Sequence, residues 1–455
     1  MSMRPEANII FKQALDTFQE VVLENTPIAP TAYNNYKVKR GLRNSDGTGV
    51  LAGLTNIGNV HGYIVSEDER VADEGRLSYR GINVADIVSA CEKEKRFGYE
   101  EVCYLILFGK LPTKKELSDF CELMGALRPV AYDFREDVIM RCPSPNIMNK
   151  LARAVLTNYS YDPNPDDISL HNLIRQSMLL VARVPTMVAY SYQAKLHYYD
   201  GKSLYIHNPQ PELSTAENFL YMIRNDNRFT QKEAEILDLA FILHAEHGGG
   251  NNSAFTTRVV SSSGSDTYSA IAAAIGSLKG PRHGGANEKV MGMIEDFKAN
   301  IENIEDADQV AAYIEKTLNK ETYDHSGLVY GMGHAIYTLS DPRAVMLKKK
   351  AGELAALTGY EKEFNLYCTI EELTPEIFAR LRGPKPMCAN VDLYSGFVYK
   401  MLNIPPELYT PMFAIARMAG WCAHRMEEVL YGGRIIRPAY KSVCKSRPYT
   451  PIDER

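Results

Sequence analysis

Three histidines of this chain sit in glycine-rich stretches, and a carboxylate follows them. His247 lies in "HAEHGGGNNS", His283 in "GPRHGGAN", His334 in "GMGHAIYTLSDPR" and Asp392 in "NVDLYSG". Glycine admits backbone angles closed to other residues and lets a ligand approach the main chain. One histidine beside a glycine is commonly no more than a turn. Three of them with Asp392 compose a set able to do acid–base chemistry on a carbonyl compound. In that reading Asp392 takes a proton from carbon, and histidines donate hydrogen bonds to oxygens that become negative as it leaves. Arg343, Arg417 in "AIARMAGW" and Arg437 in "IIRPAY" are candidates to clamp carboxylates. The plainer reading of each arginine is a surface ion pair, which contributes little.

Two other chemistries compete. His244 and His247 form a His-x-x-His pair, which on a helix shares one face and would suit zinc. No His-Glu-x-x-His and no paired cysteines accompany it. A phosphate-cradling loop is the second rival. The chain has no Gly-x-x-x-x-Gly-Lys-[Ser/Thr], and "GLVYGMG" lacks the Gly-x-Gly-x-x-Gly spacing and a clear preceding strand.

The elements that must position these residues are mostly helical. From Leu170 to Tyr192, apolar or small residues recur every three or four positions; Pro185 should kink or break that helix. Similar patterns cover 84–94, 99–108, 113–127, 146–158, 213–224, 231–246, 266–279, 306–319, 342–357 and 408–430. Pro112 and Pro342 read as helix starts, with Asp341 as an N-cap. The best alternating stretch is "HGYIVSEDERV", 61–71, a short hairpin. The fold is therefore mainly α. The glycine-rich segment 41–62 is either a loop that covers a ligand or a linker. Internal repeats are absent.

Length and composition bound the rest. At 455 residues the chain exceeds one ordinary core, so at least two domains are expected. The net charge of −5 argues against nucleic acid as a partner. No run of eighteen apolar residues occurs, so no membrane span is expected. The eight scattered cysteines suit reduced thiols in a cytoplasmic protein, and the N-terminus reads as neither signal nor transit peptide.

In their order and spacing, "GPRHGGANEKVMGM", "GMGHAIYTLSDPR" and "NVDLYSG" resemble the citrate synthase family. "GLTNIGNVHGYIV", "GRLSYRGINVADIV" and "RMAGWCAHRMEEVLYGGRIIRPAY" agree, so the likeness covers roughly residues 50–440. The resemblance implies an all-α fold with a large and a small helical domain and the active site in the cleft. On this chain that places the large domain at 1–285, with an N-terminal extension of about 1–50. The small domain falls at 286–402, and 403–455 return to the large one. It implies a homodimer that condenses acetyl-CoA with oxaloacetate at entry to the tricarboxylic acid cycle, with no metal or other cofactor. By motif, Asp392 is the base, His283 holds the enol oxygen and His334 polarises the oxaloacetate carbonyl. His247, Arg343 and Arg417 bind oxaloacetate, and Arg437 reaches in from the partner subunit. Gly331, Met332, Gly333 and Lys385 meet CoA.

Departures are few. Ala389 stands where many relatives have proline, and Arg282 beside His283 replaces a smaller residue; its charge would disfavour protonated His283. The near alternative is 2-methylcitrate synthase, which uses propionyl-CoA. A zinc-dependent hydrolase on His244 and His247, a helical module that only binds CoA or a partner, and citryl-CoA cleavage are the other readings.

Overall fold

The computed structural model describes residues 5–66 and 69–454, with side chains from Ala14 onward except that of Asp16. Among the described residues the regular structure is seventeen α-helices, six short 3-10 or π-helical segments and one three-stranded antiparallel sheet. The all-α expectation holds. Contacts divide the chain into two units, one of residues 1–51 with 437–455 and one of residues 52–436. The first contains the helices Pro5–Asn25 and Pro30–Asn35, and Arg40 and Lys441 lie over the rings of Tyr33 and Tyr36. The second contains every other α-helix, the sheet and the hydrophobic core.

Local capping explains many helix starts. Thr113 with Glu116, Ser214 with Glu217 and Thr230 with Glu233 each form a reciprocal capping box. The cap at Thr113 displaces the expected role of Pro112, which stands one residue before it. Asp341 caps Pro342–Thr358 by accepting the N–H of Arg343 at 3.0 Å. The helix Leu170–Tyr198 runs unbroken through Pro185. Helices at Asn252–Ser262, Ala286–Asn300, Glu361–Arg382 and Val391–Met401 had no marked period in the sequence. No helix among the described residues is long and apolar enough to cross a membrane.

The hairpin is larger than the alternation at 61–71 suggested. Strand β1, Gly58–Ser66, pairs with β2, Glu69–Tyr79, and β2 with β3, Ile82–Asn83. The turn itself, residues 67–68, lies outside the described residues. The register shifts between His61 and Tyr63, so the irregularity falls at Gly62. There the backbone of residues 336–337 presses so close that a Cβ on Gly62 would sit 2.6 Å from Tyr337 Cα.

The core gathers around Tyr409–Glu427, a helix buried along all but its last residue. Trp421, Arg417 and Arg425 are among its largest fully buried side chains. Two buried arginines in one helix are unusual, since a desolvated cation is costly without partners.

Candidate active site

Asp392 and Arg343 each occupy the second position of a helix, and one carboxylate ties those helix starts together. Asn390 caps Val391–Met401, accepting the N–H of Asp392 at 3.0 Å. Asp341 accepts from Arg343 Nε at 3.0 Å and Nη2 at 2.7 Å, and from the Val391 N–H at 3.2 Å. Asp341, read from sequence only as a cap, thus fixes the Arg343 guanidinium and seats the helix that carries Asp392. A paired guanidinium on the floor of a site is rigid before any ligand arrives.

The glycine turn before His334 serves the same helix. Gly331 and Gly333 both have φ of +84°. Gly333 N–H donates to Cys388 O at 2.8 Å, Asn390 N–H to Gly331 O at 2.8 Å, and Asn390 Nδ2 to Gly333 O at 2.9 Å. A Cβ on Gly331 would lie 2.8 Å from Leu393 Cβ. The turn therefore locks onto the segment entering the Asp392 helix. Met332 pairs with Ala389 in that bridge, and Lys385 stands exposed on the approach to it.

His334 itself is oriented by its own turn. Its Nδ1 accepts the N–H groups of Ile336 and Tyr337, both at 3.1 Å, which places the ring proton on Nε2. The loop beyond it is held by the hairpin. Arg70 Nη2 donates to Ile336 O at 3.1 Å, Gly75 N–H donates to Ser340 Oγ at 3.1 Å, and Thr338 Oγ1 donates to Gly62 O. A Cβ on Gly75 would meet Ser340 O at 2.0 Å.

His247 faces His334 edge-on, with ring centroids 5.3 Å apart, and Tyr337 touches both rings. The Arg343 guanidinium carbon lies 5.5 Å from the Tyr337 ring centre. Arg417 donates from Nε to His244 O at 2.8 Å and rests on Phe413. His244 stacks on that same ring and hydrogen-bonds to Tyr399 Oη through Nε2. The His-x-x-His pair therefore diverges: His244 belongs to the core and His247 to the cluster. Arg417 Nη1 and His247 Nε2 are buried and have no hydrogen-bond partner among the described residues. Buried unpaired polar groups are costly and are found where a ligand supplies the partner.

His283 stands at the head of Ala286–Asn300, with Nε2 3.1 Å from Ser253 Oγ. Trp421 Nε1 donates to the same hydroxyl at 3.0 Å, and Asn251 Oδ1 lies 2.8 Å from it. The hydroxyl has one proton to give and meets two groups able to take it, Asn251 Oδ1 and His283 Nε2. Ser253 and Trp421 escaped the sequence reading although Ser253 ends the quoted "HAEHGGGNNS".

The charges suit proton abstraction. Burial pushes the Asp392 carboxyl up to about 6, against the opposing pull of Arg343 and Arg417. Burial, then Arg417, lowers His283 to about 4, so it is neutral near pH 7. That corrects the expectation for Arg282, which is exposed and is not the cause. Burial first and Arg343 next hold His247 well below the ordinary histidine range. Burial lowers Arg417 to about 10, and Glu246 is the first charge to oppose that. A carboxylate near its switching point, two neutral histidines and two buried arginines can abstract a proton next to a carbonyl and receive a carboxylate-bearing partner. Arg437 is exposed and belongs to the unit formed by the chain ends.

Comparison with known proteins agrees with this chemistry. The family model described as "Citrate synthase, C-terminal domain" matches residues 46–439. A citrate synthase of Synechocystis is 35% identical, over 84% of this chain and 89% of its own length. A 2-methylcitrate synthase of Corynebacterium glutamicum is 32% identical, over 92% and 99%. Among solved structures, the ternary complex of carboxymethyl coenzyme A and oxaloacetate with citrate synthase from Thermoplasma acidophilum superposes with a TM-score of 0.76 at 26% identity, covering 92% of this chain and 99% of that one.

Proposed function

The chain belongs to the citrate synthase family, enzymes of the condensing transferase type, and from that premise we propose that it joins acetyl-CoA to oxaloacetate, releasing citrate and CoA. The observation that carries this reading is the cluster organised by Asp341, which holds Arg343 and seats the helix of Asp392, next to the facing rings of His247 and His334.

In the proposed reaction Asp392 takes a methyl proton from the thioester, and His283 donates a hydrogen bond to the enol oxygen. One such placed donor contributes roughly 3–4 kcal/mol of transition-state stabilisation. The enol carbon attacks the oxaloacetate carbonyl, and His334 Nε2–H supports the oxygen as it turns to alkoxide and hydroxyl. Water then splits the citryl thioester, giving the acid and the CoA thiol. His247, Arg343 and Arg417 hold the oxaloacetate carboxylates, joined by Arg437 of the partner subunit in a homodimer. The turn at Gly331, Met332 and Gly333, with the exposed Lys385, meets CoA. The divisions at residues 285 and 402 mark two lobes that close on the substrates and exclude water. No step asks for a metal, and the protein works in the cytoplasm.

The test is direct. Purified protein mixed with both substrates should release CoA thiol only when oxaloacetate is present, and a chelator should not reduce the rate. Loss on chelation with recovery on adding zinc would replace this reading by the hydrolase. Faster turnover of propionyl-CoA than of acetyl-CoA would assign 2-methylcitrate synthesis.

A further inference from the structure

Glu246 sits beside His247, is fully buried, and has no part in the chemistry above. Its surroundings are shaped for it. A Cβ on Gly58 would meet its Cγ at 2.7 Å, and one on Gly420 would meet Oε2 at 2.5 Å. Oε1 accepts the Gly248 N–H at 2.6 Å, and Gly248 takes φ of +81°, closing the turn that follows His247. Oε1 also accepts from His424 Nε2 at 2.8 Å.

His424 can do nothing else in this setting. Its Nδ1 accepts from Arg258 Nε at 3.1 Å and Nη2 at 2.8 Å, so its proton must lie on Nε2. Arg258 is in turn anchored by Glu428 at 3.1 Å, by Thr55 at 3.2 Å and by Glu427. The chain of contacts runs from the half-buried Glu427 through the buried Arg258 and His424 to Glu246, and its inner end is Oε2.

Oε2 has no hydrogen-bond partner among the described residues. It lies over Gly420, three residues past Arg417 on the same helix, and residues at that spacing share a face. Arg343 has its own carboxylate in Asp341; Arg417 has no carboxylate in hydrogen-bond contact among the described residues, and Glu246, ahead of Asp392, is the first of the charges that offset its burial. Glu246 stays ionised despite its burial, because His424 and Arg417 outweigh that penalty.

We propose that Glu246, locked by His424, is a positioning residue for oxaloacetate: Oε1 sets the turn bearing His247, and Oε2 lies against the helix that carries Arg417. The proposal rests on the reading of His247 and Arg417 as oxaloacetate ligands. Glu246→Gln keeps the shape and one acceptor but removes the negative charge that offsets the burial of Arg417. Expected is a rise of about tenfold or more in the KM for oxaloacetate, with the same loss in direct titration, and kcat and the KM for acetyl-CoA within about threefold. His424→Leu should act in the same direction. His424→Gln, which still donates an N–H, should recover most of the loss. If Glu246→Gln fails to fold, the His424 pair decides by the same readouts.

Unchanged or tighter oxaloacetate binding in these variants overturns the proposal. So does a joint decline of kcat, both KM values and Tm that His424→Gln does not rescue, because packing alone would explain it. Failure of the unaltered protein to bind oxaloacetate is a different result: it removes the proposed function first, before any variant is compared.

Discussion

Asp392 answers to two opposed demands. As a base it must be ionised, yet burial favours its protonated form and moves it up to about 6. The rate with acetyl-CoA should therefore fall as the pH drops through about 6, as a pH profile of kcat/KM would record. Asp392→Asn should cost on the order of a hundredfold or more in turnover while oxaloacetate still binds; a rate within tenfold of the parent would remove Asp392 from the role of base. Stability should move the other way. The folded value lies above the unfolded one, so the contribution to folding is fully present below about pH 4 and is lost as the pH rises through about 6. At pH 7.5 Asp392→Asn should then be more stable than the parent by up to about 3 kcal/mol in urea unfolding, an advantage that shrinks toward pH 4. His283, His334 and Asp392 were legible in sequence because each sits in a short motif whose glycines mark the local backbone. Ser253, Trp421 and Glu246 were not, because their meaning lies in contacts across more than 150 positions of sequence, such as Glu246 with His424.

The elements show where local signals suffice and where they stop. Starts such as Thr113 and Asp341 are set by side chains within three residues, so sequence placed those helices closely. The helix Asn252–Ser262 was missed because its buried positions include Ser253, Thr257, Arg258 and Ser261, which give no apolar stripe. The hairpin was underestimated because β2 gains support from the loop 335–340, far away in sequence. Two glycine substitutions test this difference. Gly331 combines φ of +84° with Leu393 in the space of a Cβ. Gly331→Ala should destabilise by about 2–5 kcal/mol and abolish activity, since it displaces the Asp392 helix. Gly276 is exposed inside the helix Thr267–Lys279, with nothing within 4 Å of an added Cβ. Gly276→Ala should stabilise by up to about 1 kcal/mol and leave turnover alone. Thermal unfolding of the pair, with activity measured alongside, checks both; equal effects would mean the glycine turn does not position the site.

At the scale of the whole molecule the two chain ends raise the question of a second copy. Within the unit of residues 1–51 and 437–455, Leu15, Phe18, Val21 and Val22 of the first helix are exposed, as are Tyr440 and Tyr449 of the tail. Apolar surface of this kind is what a protein partner covers. Arg437 is the first residue of that unit on the C-terminal side, after Gly433 with φ of +69° closes the long helix and its last turn. The proposed homodimer uses Arg437 on a carboxylate in the neighbour's site. Loss of one charged partner of a buried contact costs about 2–5 kcal/mol, so Arg437→Ala should raise the oxaloacetate requirement steeply without unfolding the chain. Complementation separates the shared site from a private one. Arg437→Ala and Asp392→Asn are each mixed under conditions that exchange subunits, with exchange verified by mass labelling. A mixed dimer then has one site with both defects and one with neither, and random exchange should return about a quarter of the parent activity per site. If exchange is complete and no activity returns, Arg437 serves its own subunit, and each protomer must be able to build a complete site alone.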